Sequence, residues 1–143
     1  ISEFNKIFSH WMDIGIFGFR LGGISYLTED PGLHDEPRAS VAARDDEYDF
    51  LNHVKTRDRE ENVVVLSTWR ANIKNRTNNE GLFALSDDVA GDMLGLFNEK
   101  NIIDLPQRSA FLDNIEKINA AEGLEQGVNQ WMERANLSWP GWD

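Results

Sequence analysis

The feature that most narrows the fold is a change of apolar period before Gly23. Phe4, Ile7, Phe8, Trp11 and Met12 fall at i, i+3, i+4, i+7 and i+8, with Ser2 as an N-cap and Gly15 as a stop. That spacing predicts an amphipathic helix. Residues 16–21 then form a short apolar run, broken by Gly18 and closed by Gly22 and Gly23. Such a run predicts a strand buried on both faces, as in a parallel sheet, and a helix followed by a buried strand is the rhythm of an α/β fold.

The alternation continues after an interruption. Over residues 28–61 the apolar period disappears, Pro31 and Pro37 punctuate the chain, and 11 acidic residues face 5 basic ones. This predicts a long polar surface loop, of the kind that usually serves function or faces a partner. Val63, Val64, Val65 and Leu66 are β-branched enough for a strand, yet Leu66, Trp69 and Ile73 continue at helical spacing behind Asp58, Glu60 and Glu61. The residues alone leave helix and strand open there. Residues 82–85 read as a buried strand, 89–97 as a helix weakened by Gly91 and Gly95, and Ile102 with Ile103 as a strand ending at Pro106. Residues 110–118 and 124–132 read as one or two helices, the second with Leu124, Val128, Trp131 and Met132 on one face, before a strand start near Trp139. The whole chain, 1–143, is thus expected to be a partial (β/α)8 barrel. It would run from the helix before strand 4 to the start of strand 7, about half of an architecture that takes roughly 250 residues.

Composition excludes several functions. Lys and Arg number 14 against 25 Asp and Glu, a formal charge of -11, which is the wrong sign for binding nucleic acid. With no cysteine there is no disulfide, thiolate zinc site or cysteine nucleophile. No stretch approaches the roughly 18 apolar residues of a membrane span. The sequence starts inside an amphipathic pattern and without methionine, and is expected to be a piece of something longer.

Chemistry-bearing motifs are sparse. His10, His34 and His53 have no metal-site spacing, and neither a phosphate-binding glycine loop nor a nucleophile elbow is present, so no cofactor and no metal are expected. Barrel active sites are built at the carboxyl ends of the strands, where the first strand offers Gly22 and Gly23, without a nucleophile or a proton donor. Arg20 is a candidate anion ligand or a member of an internal ion pair. Asn75-Arg76-Thr77 and Asn136-Leu137-Ser138 fit the N-glycosylation rule and favour an extracellular location. Trp139 and Trp142 are either a stacking platform for sugars or core anchors.

The run from Trp11 to Leu27, W-M-D-I-G-I-F-G-F-R-L-G-G-I-S-Y-L, resembles the helix and fourth barrel strand of α-amylase-type glycoside hydrolases of the α-glucosidase branch. Thr28-Glu29-Asp30, Asp35-Glu36-Pro37, Tyr48-Asp49-Phe50-Leu51, His53 and Thr56-Arg57-Asp58 are similar to the following loop of insect maltases, and Trp69-Arg70 to their next helix. The resemblance therefore implies a helix, not a strand, at the valine run. It also exposes departures. The family's nucleophile aspartate falls on Gly22, its preceding aspartate on Phe17, and its acid/base glutamate near Leu85 or Ser86, with Asp87 and Asp88 reached only by a shift of register. Hydrolysis in this family needs two carboxylates flanking the scissile bond, so no catalytic residue is assigned.

A barrel without its carboxylates resembles the heavy-chain subunits of heteromeric amino-acid transporters, which Gln130-Trp131-Met132-Glu133 and Trp139-Pro140-Gly141-Trp142 also suggest. This resemblance implies a non-catalytic, glucosidase-like ectodomain of a type II glycoprotein on the extracellular side of the plasma membrane. It would be anchored by a segment outside these residues, with a multi-span light chain as its partner. The alternatives are an α-glucosidase hydrolysing α-1,4-glucosides, and a carbohydrate-binding pseudoenzyme that uses the long loop. About half a barrel leaves two sheet edges open, so the 143 residues are expected to fold poorly by themselves, and a sharp, cooperative melt of that isolated segment would overturn the expectation.

Overall fold

The computed structural model of the chain describes residues 2–86, 89, 91–108, 120–134 and 139–140. In order these form helix α1 (Ser2–Asp13), strand β1 (Gly18–Leu21), helix α2 (Glu61–Arg76), strand β2 (Leu82–Leu85), helix α3 (Gly91–Glu99), strand β3 (Gln107–Arg108), helix α4 (Ala120–Arg134) and strand β4 (Trp139–Pro140). Both ladders are parallel. Gly18 lies opposite Leu82 and Leu21 opposite Leu85, while Gln107 lies opposite Trp139. A parallel bridge from Ala84 to Leu105 sets the segment entering β3 beside β2. The result is a small α/β unit in which strands successive in the chain are neighbours in space, consistent with part of a (β/α) barrel.

The first helix stops as its sequence demands. Gly15 takes φ +97°, the Gly15 N–H donates to Met12 O, and the Ile16 N–H donates to Trp11 O. This paired closure satisfies two orphan carbonyls, and it needs a residue that enters the left-handed region without strain. Phe8 is buried against Phe19 and Trp69, whereas Phe4, Ile7 and Trp11 are each 46% exposed. The amphipathic stripe is thus only partly covered by the described residues.

The valine run is helical. Val63, Leu66, Arg70 and Ile73 are all buried, at steps of three and four, while Val64 stands exposed. A strand would have placed Leu66 on the same side as Val64, yet Leu66 is fully buried. These side chains meet Phe83 and Leu85 of β2, Met93 and Phe97 of α3, and Ile102 in one core.

Two expectations are corrected. The first strand is four residues long and is not buried on both faces: Phe19 and Leu21 pack on the helical core, but Arg20 is exposed and Phe17 lies outside the strand and exposed. Ile102 and Ile103 are core residues but not a strand. Asp104 replaces ladder pairing at that point, since its Oδ2 accepts the Phe83 N–H at 2.8 Å and its own N–H donates to Phe83 O at 2.9 Å. The expected second helix is present as α4, with Leu124 half-buried, Gly123 and Gly127 buried and Val128 exposed. The segment 110–118, expected to be helical, lies outside the described residues, as do the side chains of Trp131 and Met132.

One buried cation joins these layers. Arg70 donates through Nη1 to Gly81 O at 2.6 Å and through Nη2 to Asp104 Oδ1 at 2.5 Å. Removing one partner of a buried pair leaves a charge without compensation. Asp104→Ala in the full-length protein is expected to cost about 3 kcal/mol in urea unfolding, and Arg70→Met combined with Asp104→Leu is expected to cost less than that single change.

Candidate functional site

Strand alternation decides which side chains face away from the helices. Phe19 and Leu21 of β1, with Phe83 and Leu85 of β2, pack towards the helices, so Gly18, Arg20 and, one step on, Gly22 belong to the opposite face. Gly22 and Ser86 follow the last paired residues, Leu21 and Leu85. The Ser86 N–H donates to Leu21 O at 2.7 Å and the Ser86 hydroxyl donates to the same oxygen at 2.9 Å. The hydroxyl is therefore spent on the backbone of the neighbouring strand. Leu85 is core. The two strand ends together bring one glycine and one tied serine, and neither can act as a nucleophile or proton donor without rearrangement.

Arg20 reaches from the face opposite the helices to Gln107, with Nη2 donating to Oε1 at 2.5 Å. It sits in neither an internal ion pair nor a buried site among the described residues, but in an exposed bridge to β3. Asp87 and Asp88, the carboxylates nearest the end of β2, lie outside the described residues, as do Asn136 and Trp142. No group of three or more His, Asp or Glu side chains among the described residues is placed to hold a metal ion.

The loop between β1 and α2 rises beside these strand ends, and it is more ordered than its composition suggests. Asn62, buried in the first turn of α2, donates to Ile24 O and Ser25 O and accepts from the Thr28 hydroxyl at 2.6 Å, which pins the start of the loop to the helix. An antiparallel bridge joins Arg38 to Leu51, flanked by hydrogen bonds from the Ala39 N–H to Phe50 O and from the Asn52 N–H to Pro37 O. Glu36 closes the base, taking the Lys55 N–H on both oxygens at 2.9 Å and the Thr56 hydroxyl at 2.8 Å.

At the outer end of the loop, Tyr48 stacks on His53 with ring centroids 3.9 Å apart and shares a 2.6 Å hydrogen bond with the Tyr26 hydroxyl. Arg57 lies over the Tyr26 ring at 5.9 Å. The Tyr48 hydroxyl beside it, more than burial, pushes the Tyr26 phenol above its ordinary value. Tyr48, His53 and Arg57 border a cavity of about 590 Å³ that also involves Asn52, Asp58 and Val89. An open depression of about 710 Å³ lies instead between α2 and α3, lined by Val63, Val64, Ala71 and Leu96.

Sequence reasoning did not find the Tyr26–Tyr48–His53 cluster, because its members are 22 and 5 residues apart in a segment without period. His34 Nδ1 lies 2.5 Å from Asp30 Oδ2, an i,i+4 pair that was visible in the spacing, although the imidazole is largely exposed.

Comparison with known proteins places this geometry. No family profile matches the chain. An α-glucosidase of Culex pipiens is 26% identical over 92% of the chain, and a salivary α-glucosidase of Aedes aegypti is 21% identical over 93%. Maltase 1 of Drosophila virilis is 29% identical over 54%. The chain spans about a quarter of the length of the first and second of these and 12% of the third. Among solved structures, an α-glucosyl transfer enzyme, XgtA, aligns with 98% of the chain and 28% of its own length at a TM-score of 0.69 and 18% identity, a likeness of fold. These relatives support placement in the α-amylase-type glycoside hydrolase superfamily.

The same comparisons overturn the transporter heavy-chain reading. Its relatives are α-glucosidases and maltases, and none of those named is a transporter subunit. The inference failed because it treated missing carboxylates as the mark of one particular non-catalytic branch, whereas loss of a side chain carries no information about what replaces its function. The light-chain partner and the upstream membrane anchor rested on that resemblance alone.

The loop's base has a pH signature. Desolvation raises the Glu36 carboxyl, but the Lys55 amide, the Thr56 hydroxyl and the Thr56 amide outweigh it and hold the group below the usual carboxylate range. A carboxyl lowered in the folded state contributes stability that is fully present above its unfolded value and lost as pH falls through the folded one. Protection of the Lys55 amide from hydrogen exchange is therefore expected to persist at neutral pH, to fall only below the ordinary carboxylate range, and to be lost at neutral pH in Glu36→Gln.

Proposed function

We propose that the chain is the middle part of an α-glucosidase-type domain that takes α-1,4-linked glucosides, as maltases do. The observation that carries this reading is the agreement of the relatives: α-glucosidases and maltases match over as much as 92–93% of the chain, across both the loop and the strand ends. The loop cluster suits such a substrate. Tyr48, His53, Arg57 and Asn52 border a cavity of about 590 Å³, within the usual range for small-molecule sites, and offer ring edges and hydrogen-bonding groups to a hydroxyl-rich ligand. The cleft would lie at the carboxyl ends of β1 and β2, where this architecture carries its chemistry.

A second reading is favoured by one observation, the lack of a carboxylate at the described strand ends. With Gly22 and Ser86 in those places, the domain would bind glucosides without cleaving them, since hydrolysis requires a nucleophile and an acid/base pair. The two readings separate cleanly. The full-length protein, a Gly22→Asp variant and an active maltase are assayed on maltose and an aryl α-glucoside, with maltose binding followed by calorimetry. Turnover by the natural protein establishes the hydrolase. Maltose binding without turnover establishes the binding domain, and neither binding nor turnover defeats both.

A further inference from the structure

A second site lies at the other end of the strands and does not depend on the glucoside reading. Residues 75–77 satisfy the N-glycosylation rule, and Asn75 is exposed in the last turn of α2. Five residues separate the end of α2 from β2, so Asn75 sits near the amino ends of the strands, away from Gly22 and Ser86. Beside it a polar groove of about 650 Å³ runs between α1 and α2, bordered by Asn5, Ser9, His10, Thr68 and Asn72. An ion pair from Arg76 to Asp13 closes one end of this helix contact.

The third residue of the motif is not available in the folded protein. Thr77 is buried, its hydroxyl donates to Ile73 O at 2.7 Å, and the Thr77 hydroxyl oxygen itself accepts the Gly81 N–H at 2.9 Å. Asn78, at φ +50°, then turns the chain, and the Asn79 N–H donates to Lys74 O, locking the motif in a helix end. A glycosyl transferase reads the hydroxyl two residues after the acceptor, which is why the rule demands Ser or Thr there. That hydroxyl is free only before the helix end forms.

We propose that Asn75 carries an N-linked glycan, added before α2 closes over Thr77, whose first sugars rest against the polar groove between α1 and α2. In the transfer, the Asn75 side-chain nitrogen bonds to the anomeric carbon of an oligosaccharide carried on a lipid diphosphate. The bond from that carbon to the phosphate oxygen breaks, the amide proton is lost to base, and the lipid diphosphate leaves. Once the chain has folded, Thr77 serves a second purpose as the donor and acceptor that ties Ile73 to Gly81.

The full-length protein, secreted from insect cells, is expected to show glycan mass on the peptide containing Asn75, lost in Asn75→Gln with no change in thermal midpoint beyond a few degrees. Thr77→Ser is expected to keep the glycan, whereas Thr77→Val is expected to lose both glycan and stability. Unglycosylated protein offered to a microsomal transferase with its lipid-linked donor is expected to be modified at Asn75 only after denaturation. An unmodified Asn75 in the secreted protein overturns the site, and equal modification of the native protein overturns the order of events.

Discussion

The contact on which the rest of the unit depends is the one between Arg70 and Asp104. Arg70 is buried on α2, and its guanidinium reaches the carbonyl of Gly81, where the chain enters β2, and the carboxylate of Asp104, beyond α3. Asp104 in turn occupies the backbone of Phe83 with its side chain and its own amide. One cation thus holds a helix, the start of a strand and the next crossing segment in register. Desolvation makes the arrangement expensive in isolation, and what it supplies is specificity of placement rather than net stability. The core between Phe8, Trp69, Phe83 and Phe97 provides the stabilisation, and it does so only if α2 and β2 meet at this offset.

What the sequence disclosed followed from period and punctuation. The end of α1 at Gly15 and the limits of β2 were legible because each rests on a local rule, a left-handed closure in the first case and a bounded apolar run in the second. The valine run was not legible from its residues, since β-branching and helical spacing point in different directions, and tertiary burial of Leu66 and Ile73 decided it. Ile102 and Ile103 misled for a related reason. Apolar content predicts burial, and both are buried, but pairing depends on which backbone groups remain free, and Asp104 had already taken those of Phe83.

Within the candidate site, the positions at the strand ends were legible and the loop was not. Gly22 and Ser86 follow from counting along two strands whose parallel register the structure bears out. The Tyr26, Tyr48 and His53 assembly depends on the fold of a segment with no apolar period, held by Glu36 at its base and Asn62 at its start. Charge counting treated Glu36 as one acid among many on a solvated face. In the structure it is an acceptor for the backbone of Lys55, a role that composition does not distinguish from solvation.

The same scaffold therefore separates two questions that family likeness tends to merge. Packing residues such as Phe8, Trp69 and Phe83 determine whether a chain adopts this architecture, and they lie on the helix-facing side of the strands. The residues that would run a reaction lie at the strand ends, on the opposite face, where a change from carboxylate to glycine removes chemistry without disturbing the core. Gly22 borders the left-handed Gly23, at φ +71°, and the short helical turn of Ile24–Tyr26 that leads into the loop. A residue without a side chain there is compatible with the path by which the chain leaves β1 and builds the Tyr26 cluster. The loop keeps its shape for that reason whatever residue stands at position 22, because its contacts are made by Glu36, Asn62 and the Tyr26–Tyr48 pair rather than by the strand end itself.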